Sequence, residues 1–240
     1  MLDSLTQELK RAAESLRLVT KARSMLARRY LQGSGIEIGA LNNPLRLSRK
    51  VSVMYVDRFP KEELYKYYPE LLNKRLVNVD IIDDAEKLLT ISDCSQDFLI
   101  ANHFLEHAEN TFETIRNFIR VIRPNGCLFM AIPDMRFTFD RDREPTSLEH
   151  LIKDYKEGPA CSRESHYDEW VRIVNKLDGP EAESEKQRLI EMNFSIHYHA
   201  WTAADIIDFL SYFNRTHKRD YQVECIERVG QEVICIVRKV

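Results

Sequence analysis

The chain has 240 residues, 44% of them hydrophobic and 30% charged, and only 7 are Gly and 8 are Pro. At average usage glycine would number roughly 17, so flexible linkers, collagen-like repeats and low-complexity tracts are excluded, and the length suits one core with an insertion or two small domains. The 35 basic and 38 acidic residues leave a formal net charge of -3, which excludes an overall electrostatic nucleic-acid binder.

No apolar run approaches the roughly 18 residues that span a bilayer, and no signal-peptide core opens the chain, so a cytoplasmic protein without a transmembrane segment is expected. Cys94, Cys127, Cys161, Cys225 and Cys235 form no CxxC pair, and reduced, packed thiols are the expected state.

Residues 1–32 read as an amphipathic helix. Leu2, Leu5, Leu9, Ala12, Leu16, Val19, Met25 or Leu26, and Tyr30 recur at three-and-four spacing, opposite a face holding Lys10, Arg11, Arg17, Lys21, Arg23, Arg28 and Arg29. Such a helix either covers the core or serves as a homodimer seam, a partner helix or a peripheral membrane contact.

From residue 33 a second pattern begins and runs to residue 240. Strands are expected at Ile36–Ile38, Val51–Val56, Leu76–Val79 leading into Ile81-Ile82, Asp97–Ala101 and Cys127–Ile132. Helices are expected near Lys61–Leu72 and Thr111–Ile122, with a turn at Arg123-Pro124-Asn125-Gly126. Strands alternating with helices predict an α/β fold with a parallel sheet, whose ligands sit outside the carboxyl ends of the strands.

Polar residues stand at those ends. Gly39 lets backbone approach a ligand; Asp57, 18 residues later, suits a ribose diol; Asp84 with Ala85 suits an adenine edge. Each has a plain alternative: Gly39 as a tight turn, Asp57 as a helix cap, Asp84 as an N-cap ahead of Ala85-Glu86-Lys87-Leu88. Their shared order suits a nucleoside.

The segments Glu37-Ile38-Gly39, Tyr55-Val56-Asp57, Asp84-Ala85-Glu86-Lys87-Leu88, Phe104-Leu105-Glu106-His107 and Arg120–Gly126 resemble the successive motifs of class I S-adenosylmethionine-dependent methyltransferases, in the branch with a LEH helix. Where relatives carry GxGxG, this chain reads Gly39-Ala40-Leu41-Asn42-Asn43. The resemblance implies a Rossmann-like seven-stranded sheet with a C-terminal antiparallel hairpin. It implies S-adenosylmethionine as cofactor, contacted by Glu37, Gly39, Ala40, Asp57, Arg58, Asp84, Ala85, Asn102 and His103.

The C-terminus agrees with that topology. Thr202-Ala203-Ala204-Asp205 resembles a capping box opening an apolar helix through Phe213, and Tyr221–Val229 and Glu232–Val237 flank Gly230 as a hairpin. A dinucleotide-binding Rossmann domain lacks that hairpin.

Residues 134–201 form an insertion expected to be the substrate lid, rich in charged, aromatic and histidine side chains. An extended His197-Tyr198-His199-Ala200-Trp201 would put both histidines and Trp201 on one face. His199 or His197 is then a base beside an aromatic wall, or a buried brace. His103 and Asp134 complete the catalytic candidates. A metal held by both histidines and Asp134 is geometrically allowed, and no metal is assigned.

A histidine base suits an alcohol acceptor better than an amine. The resemblance, with Phe137-Thr138-Phe139-Asp140-Arg141 and the His-x-His-x-Trp-Thr run, implies O-methylation of a sugar hydroxyl in a bacterial surface polysaccharide or glycolipid precursor. The alternatives are a non-catalytic interaction module and an NAD-dependent oxidoreductase.

Overall fold

A computed structural model describes residues 2–217 and 220–240, with side chains from residue 14 onward, so Leu2, Leu5, Leu9 and Ala12 of the expected stripe lie outside the described side chains. The N-terminal helix α1 spans Leu2–Tyr30. Leu26 is buried whereas Leu16 and Met25 are exposed. Leu26 and Ala27, with Leu31, pack on Phe98, Phe129 and Ile236, so the last two turns of α1 cover one face of the sheet.

The expected strands form as β1 (Ser34–Ile38), β2 (Ser52–Asp57), β3 (Ile81–Ile82), β4 (Gln96–Asn102) and β5 (Ile122–Pro133). The hairpin forms as β6 (Tyr221–Val229) and β7 (Glu232–Lys239), turning at Gly230 with φ 59°. All seven lie in one sheet of order β3-β2-β1-β4-β5-β7-β6. The first five strands are parallel and β7 is antiparallel to both β5 and β6. Apolar runs such as Phe98-Leu99-Ile100-Ala101 and Leu128-Phe129-Met130-Ala131-Ile132 are wholly buried, as strands covered on both faces must be. The chain leaves β3 and returns beside β1 as β4, which puts the topological switch, where such folds bind ligands, between β1 and β4.

Four local expectations are corrected. Leu76–Val79 is not a strand: Asp80 ties this stretch to β2 through its side chain, accepting the Tyr55 N–H at 2.8 Å, and only Ile81-Ile82 pairs. The helix α2 (Lys61–Tyr67) stops early, because Pro69 follows and opens a separate 3-10 turn through Leu71. The Arg123–Gly126 turn lies inside β5 as an irregularity, between the pairs Gln96↔Ile122 and Phe98↔Cys127. Leu105–His107 is a single 3-10 turn, because the helix α3 (Thr111–Val121) starts later, where the Asn110 side chain accepts the Glu113 N–H at 3.1 Å.

The insertion contains α4 (Leu148–Glu157), α5 (Arg163–Glu169), a π-helical turn Trp170–Val174 and α6 (Gly179–Glu191). It has its own small core of Tyr167, Val171, Leu189, Ile196 and Tyr198. The helix α7 (Ala203–Thr216) follows. Its start is fixed by Asp205, whose carboxylate accepts the Thr202 N–H at 2.8 Å and hydroxyl at 2.6 Å. Among the described residues, no helix is long and apolar enough to cross a membrane.

Candidate active site

Glu37 is buried at the end of β1, and its two carboxylate oxygens accept the Leu45 N–H at 2.8 and 3.2 Å. It therefore pins the loop that leaves Gly39. Burial pushes its carboxyl up to about 7, against that backbone bond and the nearby charge of Arg23. Gly39 has φ +59° and nothing within 4 Å of where a Cβ would stand. Backbone is thus presented to open space at the switch point, as a close ligand contact requires. The next strand end, Asn102, carries the complementary feature: both side-chain amide atoms are buried and lack a hydrogen-bond partner among the described residues.

Asp57 lies at the end of β2, half-buried and accepting the Arg58 N–H at 2.8 Å, with its carboxyl raised by burial. Arg58 turns away from this edge. Its guanidinium stacks over Tyr67 at 4.1 Å and donates to Tyr68 Oη at 3.3 Å. Asp84 is exposed, accepts the Glu86 N–H at 3.0 Å and pairs with Lys87 at 2.7 Å. It caps a turn, while Ala85 packs against the main core. Ala40 is buried behind Gly39.

His103 follows Asn102 with φ 51° and an exposed ring. Its Nε2 lies 3.0 Å from Glu232 Oε2 at the start of β7. Glu232 is buried and also accepts Arg23 Nε of α1 at 2.7 Å. Burial opposes its charged form, but the bonds from His103 and Arg23 outweigh it and hold the carboxyl below the usual glutamate range. Three elements distant in sequence meet in this His103–Glu232–Arg23 chain. The signal in the sequence was a lone carboxylate opening an otherwise apolar strand; Arg23 could not be told from its basic neighbours.

His103 and Gln231 line two cavities. One, of about 410 Å³, lies between α1 and the 43–46 loop. The other, of about 630 Å³, lies against Pro133 and, from the 134–201 insertion, Phe137, Phe139, Arg141, Lys176 and His197. His197 Nδ1 is 2.7 Å from Asp140 Oδ2, and Asp140 is in turn paired with buried Arg143 at 3.0 Å. Arg143 also donates to the His197 and Tyr198 carbonyls at 2.8 and 3.1 Å. This Asp140–Arg143 brace was not foreseen. Beside it, Glu106 is buried, its oxygens make no hydrogen bond among the described residues, its Oε1 lies 3.9 Å from His103 Nδ1, and burial raises its pKa. Burial, with His197 nearby, pushes His107 down to about 3.

The shared face of His197 and His199 does not form. His199 is fully buried, stacked on Trp201 at 5.4 Å and set among His150 and His166. Burial keeps it neutral, and it lines neither of the two cavities described above. Asp134 is equally withdrawn: it is buried and held by Arg136 at 2.6 and 2.9 Å. His197 and His199 fall in separate groups, neither with Asp134, so the metal arrangement of both histidines with Asp134 does not form, and neither His199 nor Asp134 lines the two cavities.

A five-stranded parallel sheet extended by an antiparallel β7 inserted before β6 is the class I methyltransferase fold. Residues 33–130, 98 of the 240, match the family model described as a methyltransferase domain. No curated protein matches the chain. Among solved structures, a complex of the Haloferax volcanii Trm112 methyltransferase activator with the putative methyltransferase is 10% identical, with a TM-score of 0.51 over 99% of this chain and 96% of that one. A putative Zn-dependent alcohol dehydrogenase from Rhodobacter sphaeroides is 13% identical, with a TM-score of 0.51 over 88% of this chain and 86% of that one. A SAM dependent methyltransferase from Aquifex aeolicus is also 13% identical, at TM-score 0.46 over 88% and 84%. At these identities the likeness concerns the fold alone.

Proposed function

We propose that the chain is an S-adenosylmethionine-dependent methyltransferase that methylates a hydroxyl group, with a sugar of a bacterial surface polysaccharide or glycolipid precursor as acceptor. The observation that carries this reading is the place of His103: exposed, backed by a buried carboxylate, and shared by the cavity between α1 and the 43–46 loop and the cavity against Phe137, Phe139 and His197.

The residues at the switch point fit the cofactor. The space over Gly39 and the orphaned amide of Asn102 would receive its methionine part, Asp57 its ribose, and the Asp84-Ala85 turn its adenine. Bound there, S-adenosylmethionine supplies a methyl carbon already activated by its sulfonium. The chain's own work is to align the acceptor hydroxyl, exclude water and receive one proton. His103 would accept that proton at Nδ1, which lies 3.9 Å from the buried Glu106 Oε1, while Glu232 holds its Nε2–H. His197, held by Asp140, forms the cavity wall with Phe137 and Phe139. Exposed aromatic faces beside Arg141 and Lys176 suit a polar sugar ring. The strand order favours methyl transfer over the hydride transfer of a dinucleotide enzyme, whose sheet lacks the final hairpin.

The test is turnover of radiolabelled S-adenosylmethionine with a panel of sugar nucleotides and oligosaccharides, in wild type and His103→Asn. Base-dependent labelling of a hydroxyl supports the reading; labelling of an amine, or wild-type turnover in His103→Asn, removes it.

A further inference from the structure

The lid holds a second group of titratable side chains that the proposed reaction does not use. His150 and Asp154 stand one turn apart on α4, His166 is on α5, and His199 is on the extended segment before α7. One donor atom from each lies within 4.8 Å of all the others. His166, Asp154 and His199 are buried and His150 is half-buried.

Hydrogen bonding among these groups leaves donors and acceptors over. His150 Nε2 and His166 Nε2 face each other at 3.0 Å, an approach one proton can bridge. Asp154 Oδ2 lies 3.1 Å from His150 Nε2 and 3.9 Å from His166 Nε2, yet it makes no aligned hydrogen bond. Both ring nitrogens of His199, a fully buried residue, have no partner among the described residues. Each such orphan forfeits its hydration with no partner in return, and native interiors tolerate few of them.

A cation at the common focus accounts for all of these features. Ligand bonds of about 2.0–2.1 Å in a tetrahedron put neighbouring donors roughly 3.3–3.4 Å apart, and the three observed separations of 3.0, 3.1 and 3.9 Å bracket that edge. Asp154 Oδ1 is occupied separately by the Ser162 hydroxyl, the outer contact that orients a ligating carboxylate. We propose that His150, Asp154, His166 and His199 bind one divalent transition-metal ion, with zinc as the metal that three imidazoles, one carboxylate and a closed tetrahedral site favour. With four protein donors and no open position the site is structural. It staples α4 and α5 to the segment that also carries His197, and so fixes the lid over the acceptor cavity.

The experiment is metal analysis of the purified full chain by plasma mass spectrometry, followed by chelation and titration with Co²⁺ alone. Expected are about one zinc per chain, loss of most of it in His166→Ala and His199→Ala, retention in His107→Gln, and ligand-field bands of a tetrahedral site that saturate at one Co²⁺. Chelation should also lower the Tm. Failure of the stripped wild-type chain to take up Co²⁺ or zinc overturns the proposal, as does unchanged stoichiometry in the His166 and His199 variants or its loss in His107→Gln. The wild-type titration decides the matter even where a histidine variant does not fold.

Discussion

His103 Nε2 stands 3.0 Å from Glu232 Oε2, joining the carboxyl end of β4 to the first residue of β7. Because Glu232 is buried and fixed from its other side by Arg23, the imidazole is aimed without closing its exposed edge. Replacing His103 by Asn should lower kcat by about 10²–10⁴-fold, the usual contribution of a positioned base, while S-adenosylhomocysteine affinity stays near wild type. Parallel turnover and calorimetry distinguish this from a general loss of the site, in which both would fall.

The Arg23–Glu232 pair makes α1 part of the site. Arg23→Ala strips one partner from a buried carboxylate and should cost about 3 kcal/mol in denaturant unfolding; a loss below about 1 kcal/mol would show that His103 alone suffices. The pair also has a pH signature. Glu232 is held below the ordinary glutamate range, so its stabilisation is present above the unfolded value and is lost as pH falls through the folded one. Glu232→Gln should remove that part of the acid-side decline, and unchanged acid unfolding curves would contradict it.

Glu37 has the opposite sign. Its carboxyl is raised from 4.5 to about 7 by burial, so its contribution is fully present below the unfolded value and is lost as pH rises through 7. Over that window the change amounts to roughly 3 kcal/mol. Glu37→Gln keeps an acceptor for the Leu45 N–H and should flatten the decline in Tm between pH 4.5 and 7.5. Parallel wild-type and variant curves would show that the site is not buried as described.

Asn102→Ala removes an amide whose atoms are unpartnered within the chain. It should therefore leave Tm unchanged or raise it slightly, yet weaken S-adenosylhomocysteine binding about tenfold, the value of one or two lost hydrogen bonds. A drop in Tm with unaltered affinity would assign the amide to folding.

The parallel strands and the final hairpin were readable because each is a local pattern of buried apolar runs and turn residues. The position of Gly39, Asp57 and Asn102 at strand ends was readable for the same reason. What escaped was long-range pairing. Nothing near residue 232 announces a partner at residue 103, and nothing in Phe137-Thr138-Phe139-Asp140 shows that Asp140 reaches His197. The 197–201 run failed differently: alternation predicts faces only for a strand in a sheet, and here Tyr198 turns into the lid core while His197 and His199 join separate clusters. The stacking of Arg58 on Tyr67 was not legible, because that partner lies in the next helix.

The most direct measurement is calorimetric titration of the purified chain with S-adenosylhomocysteine, in wild type and in Asp57→Ala. One site per chain with micromolar affinity is expected, lost or strongly weakened in a folded Asp57→Ala. No binding to the wild type, or equal binding to both, would contradict it.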